Sequence, residues 1–158
     1  MGSAGGPRHV QRFLRRVRRA GTADPAGLQH ARKVIGRLEK TVLDCPDPRS
    51  LAAFYAQVLG MQVNEESDDW VVIGRDADRR ELAFQRALQY TPPRWPDPSQ
   101  PQQLHLDIRV DDIDEAEKGV LTLGARRLHV EDQEGFRVYA DPAGHPFCLC
   151  FPAGRPRS

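Results

Sequence analysis

The stretch LHLDIRV, residues 104–110, sets His105, Asp107 and Arg109 at alternate positions. Alternate side chains of an extended strand share one face, so an imidazole, a carboxylate and a guanidinium would stand in a row. A histidine beside a carboxylate suits general-base work, because the negative charge favours the protonated ring. Arg109 could hold an acid or an enolate oxygen. The plainer reading is that Asp107 and Arg109 satisfy one another. A second stretch, HPFCLC (145–150), puts a histidine and two cysteines within six residues. Alternation gives Phe147, Leu149 and Phe151 one face and Cys148 with Cys150 the other. A disulfide between those two is disfavoured, since i, i+2 strand neighbours lie near the limit a disulfide can span. Cys45 reads as a small buried hydrophobe. His145, in DPAGHP, reads as a turn residue.

These residues need strands to hold them, and the chain supplies strands in a repeat. TVLDCPDPRSLAAFYAQVLGMQV reads strand, turn, helix, glycine, strand, and LDIRVDDIDEAEKGVLTLGARRL reads the same way. Asp47 with Pro48 should cap the first helix, and Asp111 or Asp112 the second. Gly60 and Gly124 should end them. Asp47 to Gly60 and Asp111 to Gly124 have equal spacing, 64 residues apart. Three short strands follow each helix: 61–66, 70–74 and 81–85, then 126–130, 135–140 and 145–151. ELAF (81–84) and CLCF (148–151) look like matching last strands. The expected fold class is α+β, with two βαβββ units in one domain over 39–152, a helical extension over 1–38 and a tail at 153–158. Between the units, RALQYTPPRWPDPSQPQ holds too much proline for a strand interior and reads as a long loop.

The residues LDCPDPRSLAAFYAQVLG, LHLDIRVDDIDEAEKGVLTLGA and YADPAGHPFCL together resemble the vicinal oxygen chelate superfamily, which includes glyoxalase I, bleomycin-resistance proteins and extradiol dioxygenases. The likeness is nearest to its small glyoxalase-like domain proteins. It implies that each unit curls its sheet into half of an open, barrel-like cavity with the helices outside. It also implies four metal-ligand places, on the first and last strand of each unit. Carried over, these are Lys40 (or Thr41), Glu81, His105 and Cys148. Lysine would oppose a divalent ion, whereas a thiolate suits Zn²⁺. A metal held by His105, Glu81 and Cys148 is one reading; a metal-free pocket is the favoured one. The alternative cofactor is a divalent Zn, Ni, Mn or Fe ion. Relatives usually pair, which implies a homodimer. Whether two units of one chain close a cavity, or two chains exchange halves, the sequence leaves open.

Inward-facing residues of the first strand should be Lys40, Val42 and Asp44. Trp70, Tyr55, Trp95, Phe84 and Tyr139 offer aromatic surface, although Phe84 and Tyr55 suit core packing. Trp95 lies among prolines and would make a lid or stacking wall; Arg94 beside it suits a solvated loop or an anion. The favoured function is small-molecule binding or sequestration, with ligand contacts from Trp70, Trp95, Tyr55, Cys148 and Asp44. The acidic walls Asp44, Glu81 and Asp107 would suit a cation. The competing readings are a metal-dependent lyase, isomerase or dioxygenase working through His105, Asp107 and Arg109, and an interaction module.

That last reading comes from charge. Residues 1–40 hold ten basic residues against Asp24 and Glu39, while the rest holds thirteen basic and twenty acidic. The extension holds an Arg-rich stretch at 9–20, which reads mainly as a solvated charged face, so nucleic acid is disfavoured as a partner, and an amphipathic helix over 25–38. No apolar run approaches a membrane span, and three cysteines without a CxxC pair fit a reduced, cytoplasmic protein. No nucleophile elbow, P-loop or dinucleotide fingerprint is present.

Overall fold

A computed structural model describes residues 35–128 and 135–152 of the 158-residue chain. The expected helix at 9–20, most of that at 25–38 and the tail lie outside the described residues. Residues 35–40 carry no regular element.

The first unit runs β1 (Thr41–Cys45), α1 (Pro48–Leu59), β2 (Gln62–Glu66), β3 (Trp70–Gly74) and β4 (Leu82–Arg86). The second runs β5 (Leu106–Arg109), α2 (Ile113–Thr122), β6 (Arg126–Arg127), β7 (Phe136–Ala140) and β8 (Pro146–Cys150). Each unit is a four-stranded sheet, ordered β1-β4-β3-β2 and β5-β8-β7-β6. The first and last strands of a unit pair in parallel and the others antiparallel. Neither sheet closes on itself, so each is an open half-barrel of an α+β fold.

The helices start where short acids stop them from fraying. Asp47 accepts from the N–H groups of Arg49 and Ser50, with Pro48 in the first turn, where its missing N–H costs nothing. Gly60 closes α1 at φ 64°, a left-handed conformation that favours glycine. The second cap is Asp112, which accepts from Asp114 and Glu115 N–H at 3.0 Å each; Asp111 takes no part. The strands carry the same offset. Asp47 and Asp112, Val42 and Asp107, and Ala83 and Cys148 are each 65 residues apart and equivalent by register. Gly60 and Gly124 are 64 apart because the second helical segment is one residue shorter. The ELAF and CLCF match therefore slips by two positions: the equivalent of Cys148 is Ala83, not Glu81.

Each sheet has two faces. The helix face of the first carries Leu43, Cys45, Val71, Ile73, Leu82 and Phe84, packed under α1. That of the second carries Ile108, Tyr139, Phe147 and Leu149, with Val120 of α2. These residues form one core, and α1 joins its halves. Phe54 and Tyr55 of α1 meet Phe147 of β8 edge-on, with ring centroids 5.9 and 6.4 Å apart, while Tyr55 stacks on Phe84 at 5.7 Å. The Tyr55 hydroxyl donates to Asp141 Oδ2 at 2.9 Å. Both helices thus lie on the side away from the open faces, as expected, and α1 also fills the junction between the sheets.

Two features of this frame were not visible in the pattern. Arg127 and Arg137 stand on the helix face of the second sheet and meet Glu117 of α2; Arg137, 9% exposed, also meets Asp114. In the first unit, a Cβ on Gly74 would lie 1.6 Å from the Arg79 carbonyl oxygen, so the β3–β4 turn closes only on glycine. Asn64 Nδ2 holds the same turn by donating to the Asp76 and Arg79 carbonyls at 3.0 and 2.5 Å.

Candidate functional site

The row read from LHLDIRV forms as alternation requires. Ile108 is buried against the core, while His105, Asp107 and Arg109 are exposed on the opposite, open face. Parallel pairing with β8 sets Asp107 beside Cys148 and Arg109 beside Cys150. His105 Nε2 lies 3.3 Å from Asp107 Oδ1. The Cys148 sulfur lies within 4.8 Å of the same carboxylate. Gln102 Nε2 lies 3.3 Å from His105 Nδ1. An amide donating there leaves the other ring nitrogen to donate to Asp107.

The electrostatics follow from these contacts. The Asp107 carboxylate raises the His105 pKa through its hydrogen bond, against an opposing effect of burial. His105 in turn lowers that of Asp107. Cys148 is pushed up strongly by burial, with the Asp107 charge adding to it, so its thiol stays protonated. Cys150 rises to about 11 for the same reasons in the same order. The face therefore offers a polarised histidine–carboxylate pair and a protonated thiol, with Arg109 two residues beyond.

Each donor of His105, Asp107 and Cys148 comes within 4.8 Å of the others, the one such metal-type group among the described residues. Glu81 does not join them. It lies at the start of the first unit's last strand, accepts from Arg75 N–H at 3.0 Å and pairs with Arg75 Nε at 3.3 Å. Lys40 pairs with Glu39. The positions equivalent to His105, Asp107 and Cys148 are Lys40, Val42 and Ala83, and none supplies a ligand for a divalent ion. The four-place set implied by the resemblance does not assemble in this chain. A three-donor site within the second unit is the set that fits a metal, and its N, O and S donors suit Zn²⁺.

The aromatic candidates separate. Tyr55, Phe84 and Tyr139 are core residues on the helix faces. Burial raises the Tyr55 and Tyr139 phenols well above their ordinary value. Trp70 lies on the open face of the first sheet, opposite Gln85 in register and half-buried. Asp44 is exposed on the same face. Trp95 is half-buried in the loop between the units, with a cis bond to Pro96. That loop is tied by Arg94 N–H to the Gln100 carbonyl at 2.9 Å and by Asp97 N–H to the Arg94 carbonyl at 2.6 Å.

His145 is the turn residue expected, and it also fastens the junction. Asp141 Oδ1 accepts from the Ala143 and His145 N–H groups, while Oδ2 meets His145 Nδ1 at 2.9 Å. His145 Nε2 reaches the Asp44 carbonyl at 2.9 Å and the Tyr90 hydroxyl at 3.0 Å. Gln102 and Tyr90 were missed as partners because both sit in the proline-rich loop, where no periodicity assigns a face.

The glyoxalase-like domain family matches residues 40–150. The chain belongs to that family. Solved structures agree on the fold. A glyoxalase/bleomycin resistance protein/dioxygenase family enzyme from Burkholderia phytofirmans PsJN is 18% identical, with TM-score 0.55 over 72% of this chain and 96% of its own. A glyoxalase-related enzyme from Fulvimarina pelagi is also 18% identical, with TM-score 0.55 over 75% and 89%. The trypanothione-dependent glyoxalase I of Leishmania major is 19% identical, with TM-score 0.53 over 73% and 86%. No functionally curated protein matches the sequence. Among the described residues no helix is long and apolar enough to cross a membrane.

Proposed function

We propose that this glyoxalase-like protein binds a small organic molecule on the open faces of its units, without a resident metal, as a binding or sequestering protein. The observation that carries this reading is Asp107. Its carboxylate already lies 3.3 Å from His105 Nε2, with the Cys148 sulfur within 4.8 Å, so its neighbours on the face engage it without an ion. Trp70, Asp44 and Asp107 favour an aromatic or cationic compound, by stacking and by charge. The protein pairs as a homodimer in this reading, and three free thiols suit a reduced cytoplasm. The test is a thermal-shift screen of planar aromatic amines against the full chain. A saturable rise in Tm, lost in Asp107→Asn and in Trp70→Ala, supports the reading. A panel that leaves Tm unmoved counts against it.

The proximity of His105, Asp107 and Cys148 favours a second reading, a Zn²⁺-type site in a lyase, isomerase or dioxygenase of this superfamily. Metal content by plasma mass spectrometry, after loading with Zn²⁺, Ni²⁺, Mn²⁺ and Fe²⁺, separates the two. About one equivalent per chain, lost in His105→Ala, would replace the metal-free reading.

A further inference from the structure

Two thiols stand on the open face of the second unit. Phe147 and Leu149 of β8 are buried in the core, so Cys148 and Cys150, which alternate with them, share the opposite face. Cys148 is nearly buried and Cys150 half-buried. The third thiol, Cys45, is fully buried on the helix face of the first sheet, with its sulfur 3.7 Å from the Gln85 carbonyl oxygen. Cys148 belongs to the group with His105 and Asp107, but Cys150 stands outside it. Strand geometry limits what such a pair can hold. Alternate residues stand about 6.6 Å apart along a strand. A disulfide needs its sulfurs about 2 Å apart, which strains an i, i+2 pair. A metal–sulfur bond is about 2.3 Å long, so an ion with two sulfurs in line holds them about 4.6 Å apart. The two side chains reach that separation by leaning slightly towards one another. The ions that take two ligands in line are monovalent with a closed shell, and soft thiolates select copper(I). Reducing conditions, which keep thiols free, also keep copper monovalent.

From this we infer that Cys148 and Cys150 bind a single copper(I) ion between their sulfurs. The inference goes beyond the proposed binding of an organic guest, since it uses neither Trp70 nor the Asp107 carboxylate. The ion is a ligand taken up by the face, not a resident cofactor. Cu⁺ replaces the two S–H protons, which leave to solvent, and no electron moves. The resulting copper bis-thiolate carries one negative charge. Arg109 stands beside Cys150 in register and makes no ion pair with another described residue, so its guanidinium can offset that charge. Asp107 stands beside Cys148, where its own charge is met by His105 at 3.3 Å. A Zn²⁺-type site on His105, Asp107 and Cys148 would share only Cys148 with this one, so single substitutions tell the two apart.

The experiment titrates the reduced full chain, without oxygen, into the coloured copper(I)–bicinchoninate complex and follows the loss of colour. Wild type should withdraw about one equivalent of copper per chain, with a new ultraviolet sulfur-to-copper band. Cys150→Ser and Cys150→Ala should both lose the withdrawal and the band, with circular dichroism like that of wild type. Cys45→Ala and His105→Ala should keep them. A wild type that withdraws no copper would overturn the inference. So would withdrawal that survives both Cys150 substitutions, withdrawal lost in His105→Ala, or one ion for every two chains. Copper binding should also persist in Trp70→Ala and Asp107→Asn, the variants that test the binding of aromatic amines. A failed amine screen therefore leaves the copper result standing, and a successful screen without copper uptake would sink only the copper site.

Discussion

At the scale of single residues, the site turns on one carboxylate. Asp107 holds His105 and lies beside Cys148, and its influence should appear as a titration. The His105 pKa is raised, so the pair's contribution to stability is complete below about 6.5, the ordinary histidine value, and is lost as pH climbs through the folded pKa. The Asp107 pKa is lowered, so its share is present above the ordinary carboxylate range and is lost as pH falls through the folded pKa. The pair is ionised on both sides between those limits. The C2 proton of His105 should titrate above the ordinary value in wild type and move down in Asp107→Asn. An unchanged midpoint would mean that the 3.3 Å contact does not persist in solution. This row was legible in the sequence because strand alternation alone places it. Its partner Gln102 was not, since a loop has no period from which to read a direction.

Among the elements, caps and turns were the readable parts. Aspartates before Pro48 and Ile113, and glycines after both helices, fixed the repeat within a residue or two. The mistakes came from matching letters where register decides. ELAF and CLCF look alike, yet β1–β4 and β5–β8 pairing makes Ala83 the counterpart of Cys148. Polar residues on a helix face were equally hidden, because the pattern of α2 gives Glu117 no reason to point inward. It does so to meet Arg127 and Arg137. Removing it would leave Arg137 desolvated with only the half-exposed Asp114 and its remaining contacts. Glu117→Ala should cost about 3 kcal/mol in urea unfolding; a loss under about 0.5 kcal/mol would mean that water already screens the cluster. Gly74→Ala should also destabilise, by about 1–3 kcal/mol, since the intruding methyl meets backbone rather than a flexible side chain.

For the whole molecule, the decisive element is α1, which makes two units into one core. Aromatic rings supply most of the junction, and the Tyr55–Asp141 bond fixes its register. A hydrogen bond to a charged acceptor is worth about 1.5–3 kcal/mol, so Tyr55→Phe should lower stability by about that amount. If both units unfold together, one cooperative transition should persist in the variant. Two separated transitions would show that the hydroxyl holds the units in a single cooperative block. The sequence indicated two similar units, but not how they sit together. That arrangement depends on Phe54, Tyr55 and Phe147, and as apolar positions in a helix and a strand they would fit either packing.

The two halves of the repeat have kept one backbone and parted in chemistry. Lys40, Val42 and Ala83 stand where the other half has His105, Asp107 and Cys148. A duplicated scaffold of this kind can specialise by halves: under the proposed binding function, substitutions at Val42 or Trp70 would reshape the first unit's open face and leave the His105–Asp107 pair untouched. Selection could then change what is admitted without disturbing how it is held.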